Sequence, residues 1–170
     1  MKLYRLGKHT RITDLSGQGG LYFAGRWHRK GTPILYTAEH FSLAKLEILA
    51  NSELLPVDYY ALTLEVPDFI TYETVEAATL PPNWRDLPYP VELATVAEYW
   101  LHEKQNWLLR VPSAHSPTEY NFLLNPLHPD HQLLRVVSLE PHPFDTRLKP
   151  PAATAAPAPP GSGPPPAQQL

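Results

Sequence analysis

Cysteine is absent from this 170-residue sequence, which excludes a disulfide scaffold, a thiolate metal site and a cysteine nucleophile. No apolar run approaches the ~20 residues that a membrane-spanning helix needs. The opening Met1-Lys2-Leu3-Tyr4-Arg5 is too polar for the core of a signal peptide, so a soluble, cytoplasmic protein is expected. Charge is sparse, with 14 Lys and Arg against 17 Asp and Glu, a formal net charge of -3 and a pI near 6.2. The basic footprint of a nucleic-acid-binding protein is therefore missing. Also missing are a Gly-x-Gly-x-x-Gly fingerprint, a Walker loop, a His-Glu-x-x-His run and a Gly-x-Ser-x-Gly elbow. Gly17-Gln18-Gly19-Gly20 precedes no evident helix start and makes a poor phosphate cradle. His128 and His131 stand close, but Pro129 breaks a helical spacing between them and His115 lies apart, so no metal site is expected.

What is present is an ordinary globular composition, 43% hydrophobic and 11% aromatic. The 21 prolines are unevenly spread. From Pro150 to Leu170 the chain is almost entirely Pro, Ala, Gly, Ser and Gln, too poor in apolar side chains to offset the entropy of ordering. We divide the chain into a folded domain over 1–148 and a disordered Pro/Ala-rich tail over 149–170. Within the domain, strands are expected at Leu3–Leu6, Pro33–Thr37, Tyr59–Val66, Trp107–Val111, Tyr120–Leu124 and Leu133–Leu139. Helices are expected from about His40 to Asn51 and from Pro90 to Glu103, the second turning Val96, Tyr99 and Trp100 to the core. Strands and helices do not alternate regularly, so the fold class is α+β, a compact mixed-sheet domain.

Four side chains invite a chemical reading. On the first long helix Leu43, Leu46 and Ala50 form the expected core stripe, and Glu47 lies within it. A carboxylate there is paired, faces a cavity, or packs only its stem while its head reaches water. Arg26, between Gly25 and Trp27, has a planar fork suited to phosphate or carboxylate; taken alone it reads better as a surface arginine over Trp27. Tyr36 ends a buried strand, where a phenol finds a core hydrogen bond or lines a pocket mouth. Ser113, after Val111-Pro112, either positions a ligand or caps the next turn. Asn121 and Asn125 are expected to hold loops.

In order along the chain, Tyr4-Arg5, Gly25-Arg26-Trp27, Ile34 to Glu39, Ser42 to Glu47, Val111-Pro112-Ser113 and Asn125-Pro126-Leu127-His128 resemble the RES domain, the toxin component of bacterial Xre–RES toxin–antitoxin modules. His28 departs from the pattern, since many members carry asparagine there. The resemblance implies a fold similar to ADP-ribosyltransferase toxins and NAD+ as the substrate, with no further cofactor and no metal. It implies cleavage of the nicotinamide–ribose bond by water or phosphate, or else transfer to a protein target. It places Arg26, Tyr36, Glu47 and Ser113 in catalysis, with Arg5, Arg26 and Tyr36 binding substrate. It also implies an Xre-type antitoxin as partner. A binding module without catalysis is the remaining alternative.

Overall fold

A computed structural model describes residues 1–150, so the expectation of a disordered tail falls almost wholly outside the described residues. The architecture is α+β. Seven strands, β1 (Lys2–Lys8), β2 (Leu35–Ala38), β3 (Tyr59–Glu65), β4 (Tyr72–Thr74), β5 (Leu108–Pro112), β6 (Tyr120–Leu124) and β7 (Arg135–Pro141), form one sheet ordered β4-β5-β6-β2-β1-β3-β7. Only the β4–β5 pair is parallel. The helices are α1 (His9–Ile12), α2 (Gly19–Tyr22), α3 (Phe41–Ala50) and α4 (Val91–Glu103).

The register sorts side chains between the two faces. Tyr4 pairs with Ala38, and Leu3 and Arg5 pair with Leu64 and Leu62. Because strand side chains alternate, Leu3, Leu35, Leu62 and Leu64 share one face, where they pack with Trp107, Phe122 and Leu124. The opposite face carries two separate apolar clusters. One joins Leu93, Ala97 and Trp100 of α4 to Leu109, Val111 and Leu123. The other joins Leu43 and Ala44 of α3 to Leu6, Ala38, Leu55 and Phe144. On this face α4 thus packs over β5 and β6, and α3 over β1 and β2.

Several expectations need correction. On α3 the buried residues are Leu43 and Ala44, while Leu46 and Ala50 are exposed; the helix is apolar round most of its circumference, so periodicity alone does not select its inner side. Glu47 follows Leu43 by four and Ala44 by three, so it still points inward. On α4, Trp100 is buried, but Tyr99 is exposed and Val96 only half-buried. The final strand starts at Arg135, because Pro129–Leu133 forms a 3-10 turn. Strand β4 and the single-turn helices α1 and α2 were not anticipated; each is too short to show a period. Gly17 leads into α2 with φ +69, and a Cβ there would lie 2.6 Å from the Ile34 nitrogen, so this turn requires glycine.

Candidate active site

A cavity of about 360 Å³ opens beside α3, over β1, β2 and β6. Its floor is Tyr4 and Leu6 of β1, Tyr36 and Ala38 of β2 and Asn121 of β6; Ala44, Glu47 and Ile48 of α3, with Asn51 just past its end, form one wall. Arg5, Arg26, Trp27, Tyr89 and His115 also line it. All four residues singled out as catalytic, and Arg5, therefore converge here or directly behind it.

Glu47 is the most constrained group. Its Oε1 accepts hydrogen bonds from Asn121 Nδ2 at 2.6 Å and from Ser113 Oγ at 2.9 Å. Its Oε2 lies 3.5 Å from His115 Nε2. Of the two readings open for Glu47, the structure supports the inward, hydrogen-bonded carboxylate. Ser113 is fully buried. Its oxygen also accepts the backbone N–H groups of His115 at 3.1 Å and Ser116 at 3.2 Å. A hydroxyl has one proton and two lone pairs, so Ser113 is saturated. It both caps the turn after β5 and holds Glu47, and its oxygen has no free capacity to attack a substrate.

Register explains why these groups meet. Asn121 pairs with Ala38 on one side and Val111 on the other, which places its amide on the cavity face beside α3. Asn121 was expected to hold a loop; instead it grips Glu47. Asn125 does hold its turn, accepting the Leu127 N–H at 2.9 Å. The available signal for Asn121 was a polar amide directly before Phe122-Leu123-Leu124, a run buried on both faces of its strand. Nothing in the sequence pointed to His115 at the carboxylate.

Arg26 sits at the tip of a tight turn closed by the Gly25–His28 bridge. Its guanidinium donates to the carbonyl of Trp84 and, at 3.2 and 3.5 Å, to those of Arg85 and Asp86, and lies 4.6 Å from the Tyr89 ring centroid. It does not lie over Trp27 at the surface; it anchors the 84–89 loop as a cavity wall. Burial lowers its pKa, opposed by nearby Tyr89 and Glu47, and an arginine remains charged regardless. Arg5 donates to the carbonyls of Ile12 and Asp14 at 3.1 and 2.8 Å. Burial lowers its pKa also.

Tyr36 lines this cavity and a second one of about 230 Å³ beside it, which Arg5 also lines. Its hydroxyl is 2.8 Å from His28 Nδ1 and 3.3 Å from the Trp27 nitrogen. His128 caps the 3-10 turn through the Asp130 N–H, and His131 bridges Trp107 Nε1 and the Leu15 carbonyl. Among the described residues no group of three His, Cys, Asp or Glu is placed to hold a metal. Nor is any helix among them long and apolar enough to cross a membrane.

The family model of the RES domain matches residues 2–147. The chain belongs to the RES domain family. This RES domain is 37% identical over 153 residues to Toxin Res of Pseudomonas putida, covering 87% of the chain and 99% of that protein. It is 34% identical over 139 residues to the Prs ADP-ribosylating toxin of Sphingobium sp., covering 79% and 86%. Its fold is similar to a chain of the Mycobacterium tuberculosis MbcT–MbcA toxin–antitoxin complex, with a TM-score of 0.65, 18% identity and 84% of each chain covered.

Proposed function

We propose that this RES domain is the toxin of a toxin–antitoxin module and consumes NAD+ by breaking the bond between nicotinamide and ribose. The carrying observation is the Glu47 carboxylate at the cavity, held through Oε1 by Ser113 and Asn121 while Oε2 lies beside His115, which also lines the cavity. The reaction breaks the C1′–N bond with its electron pair going to nicotinamide, which departs neutral from a cationic ring. No general acid is needed, so one carboxylate suffices. Positive charge develops on the ribose as in other glycoside cleavages, and a preorganised carboxylate stabilises it. Glu47 Oε2 would receive a ribose hydroxyl and face that charge. An acceptor oxygen then bonds to C1′ and releases its proton.

Arg26 would hold the pyrophosphate, since a guanidinium carries more N–H donors than the three loop carbonyls take. Tyr36 would pack against the nicotinamide or its ribose. Arg5 would contribute positive charge between the two cavities. Ser113 is a positioning residue acting through Glu47.

A second reading sends ADP-ribose to a protein side chain; the 34% identical relative named as a Prs ADP-ribosylating toxin favours it. A partner antitoxin is supported by the toxin–antitoxin complex with the same fold; we propose an Xre-type protein that blocks the cavity. The deciding experiment follows NAD+ and free nicotinamide in cells after induction of the protein and of Glu47→Gln. NAD+ loss with nicotinamide release from the unaltered protein alone supports the first reading. Arrested growth with NAD+ unchanged and a discrete protein carrying label from NAD+ supports the second. Normal growth and intact NAD+ overturn both and leave a binding module.

A further inference from the structure

His28 is buried behind the cavity, and its two ring nitrogens have different partners. Nε2 lies 3.0 Å from the Phe23 carbonyl oxygen. A carbonyl only accepts, so Nε2 carries a proton. A neutral imidazole has no second proton, which leaves Nδ1 as an acceptor 2.8 Å from the Tyr36 hydroxyl. The phenol proton therefore points into the wall. The Trp27 N–H, 3.3 Å away, donates to the same oxygen.

The protonation states agree with this direction of donation. Burial lowers the pKa of His28, keeping it neutral, and raises that of Tyr36, keeping the phenol protonated. The imidazole is also closed in by backbone. A Cβ at Gly25 would come within 2.7 Å of His28 Cε1, and one at Gly20 within 3.1 Å of His28 Nε2.

We infer that His28 is a positioning residue for Tyr36, taking the phenol's proton so that Tyr36 meets the substrate as a ring and a hydrogen-bond acceptor, not as a proton donor. The group that meets Tyr36 Oη is then a hydroxyl or amide N–H of the substrate. The substrate part of this inference rests on the NAD+ reading; the direction of the hydrogen bond does not.

The test compares His28→Asn, His28→Gln and His28→Leu, alone and combined with Tyr36→Phe. Asparagine carries a polar atom where Nδ1 stood and can still accept from the phenol; glutamine carries its polar atoms where Nε2 stood. Expected are near-normal turnover for His28→Asn and a fall in kcat of about tenfold for His28→Gln and His28→Leu, the scale of one hydrogen bond. His28→Leu in the Tyr36→Phe background should cause no further loss, because the two act as a unit. In substrate-free protein the Tyr36 ring carbon bearing the hydroxyl, followed by NMR with labelled tyrosine, should shift in His28→Gln and not in His28→Asn. Equal losses in Asn and Gln variants, additive losses with Tyr36→Phe, or an unmoved tyrosine signal would overturn the inference. If His28→Leu fails to fold, the Asn–Gln pair still decides it. A moved signal in a protein that leaves NAD+ intact would sink the substrate reading while keeping this one.

Discussion

Asn121 donates to Glu47 across the gap between strand and helix at 2.6 Å, joining two residues 74 positions apart in the chain. A neutral amide bonded to an ionised carboxylate is a charge-assisted contact, worth about 1.5–3 kcal/mol. Asn121→Leu should therefore lower the rate of nicotinamide release by roughly tenfold to a hundredfold, and Asn121→Asp, which sets two carboxylates together, by at least as much. A steady-state assay with purified protein checks this; a rate within twofold for Asn121→Leu would remove Asn121 from the site.

Ser113→Ala should affect both stability and rate. The substitution removes a donor to Glu47 and leaves two part-buried N–H groups, of His115 and Ser116, without their acceptor. A lost hydrogen bond of this kind costs about 1 kcal/mol, so the melting temperature should fall by a few degrees as activity falls. Activity lost without any thermal shift would contradict the turn-capping half of its role.

Acid should destabilise the fold as pH falls below about 6.5. Burial lowers the pKa values of His28 and His131 from 6.5. Each folded histidine then binds fewer protons than its unfolded counterpart between its lowered value and 6.5. Stability therefore rises with pH through that window and is lost as pH falls through it. Urea midpoints measured from pH 7.5 downward should decline from about 6.5, and His131→Gln, which does not titrate, should flatten the slope. An unchanged slope in that variant would count against the assignment.

Gly17→Ala should lower stability while leaving the chemical groups in place. At φ +69 a side chain meets left-handed strain of ~1–2 kcal/mol, and here also the Ile34 backbone at 2.6 Å. Chemical denaturation gives the loss directly. A neutral result would mean that this loop rearranges freely beside the second cavity.

Much of the fold was legible locally. The long helices and most strands followed from period and punctuation, and each ended within a few residues of its expected limits. The inner side of α3 was not legible, because Phe41-Ser42-Leu43-Ala44-Lys45-Leu46-Glu47-Ile48-Leu49-Ala50 offers apolar residues in most directions. Strand β4 escaped because three residues carry no pattern. Its partner in the sheet lies more than thirty residues away, at Leu108 to Arg110.

The same division holds for the site. By itself the sequence determined which residue types were available: a fork at Arg26, a phenol at Tyr36, a carboxylate at Glu47 and a hydroxyl at Ser113, with no thiol anywhere. Their order also carried the family resemblance. Only the tertiary structure decided how each one is used. Ser113 became a saturated clamp, Arg26 an anchor for the 84–89 loop, and Asn121, His115 and His28 entered through strand register and loop closure. The reason is physical: a residue type sets which hydrogen bonds and charges a side chain can offer, but its partners come from distant segments whose positions depend on how the sheet and helices pack.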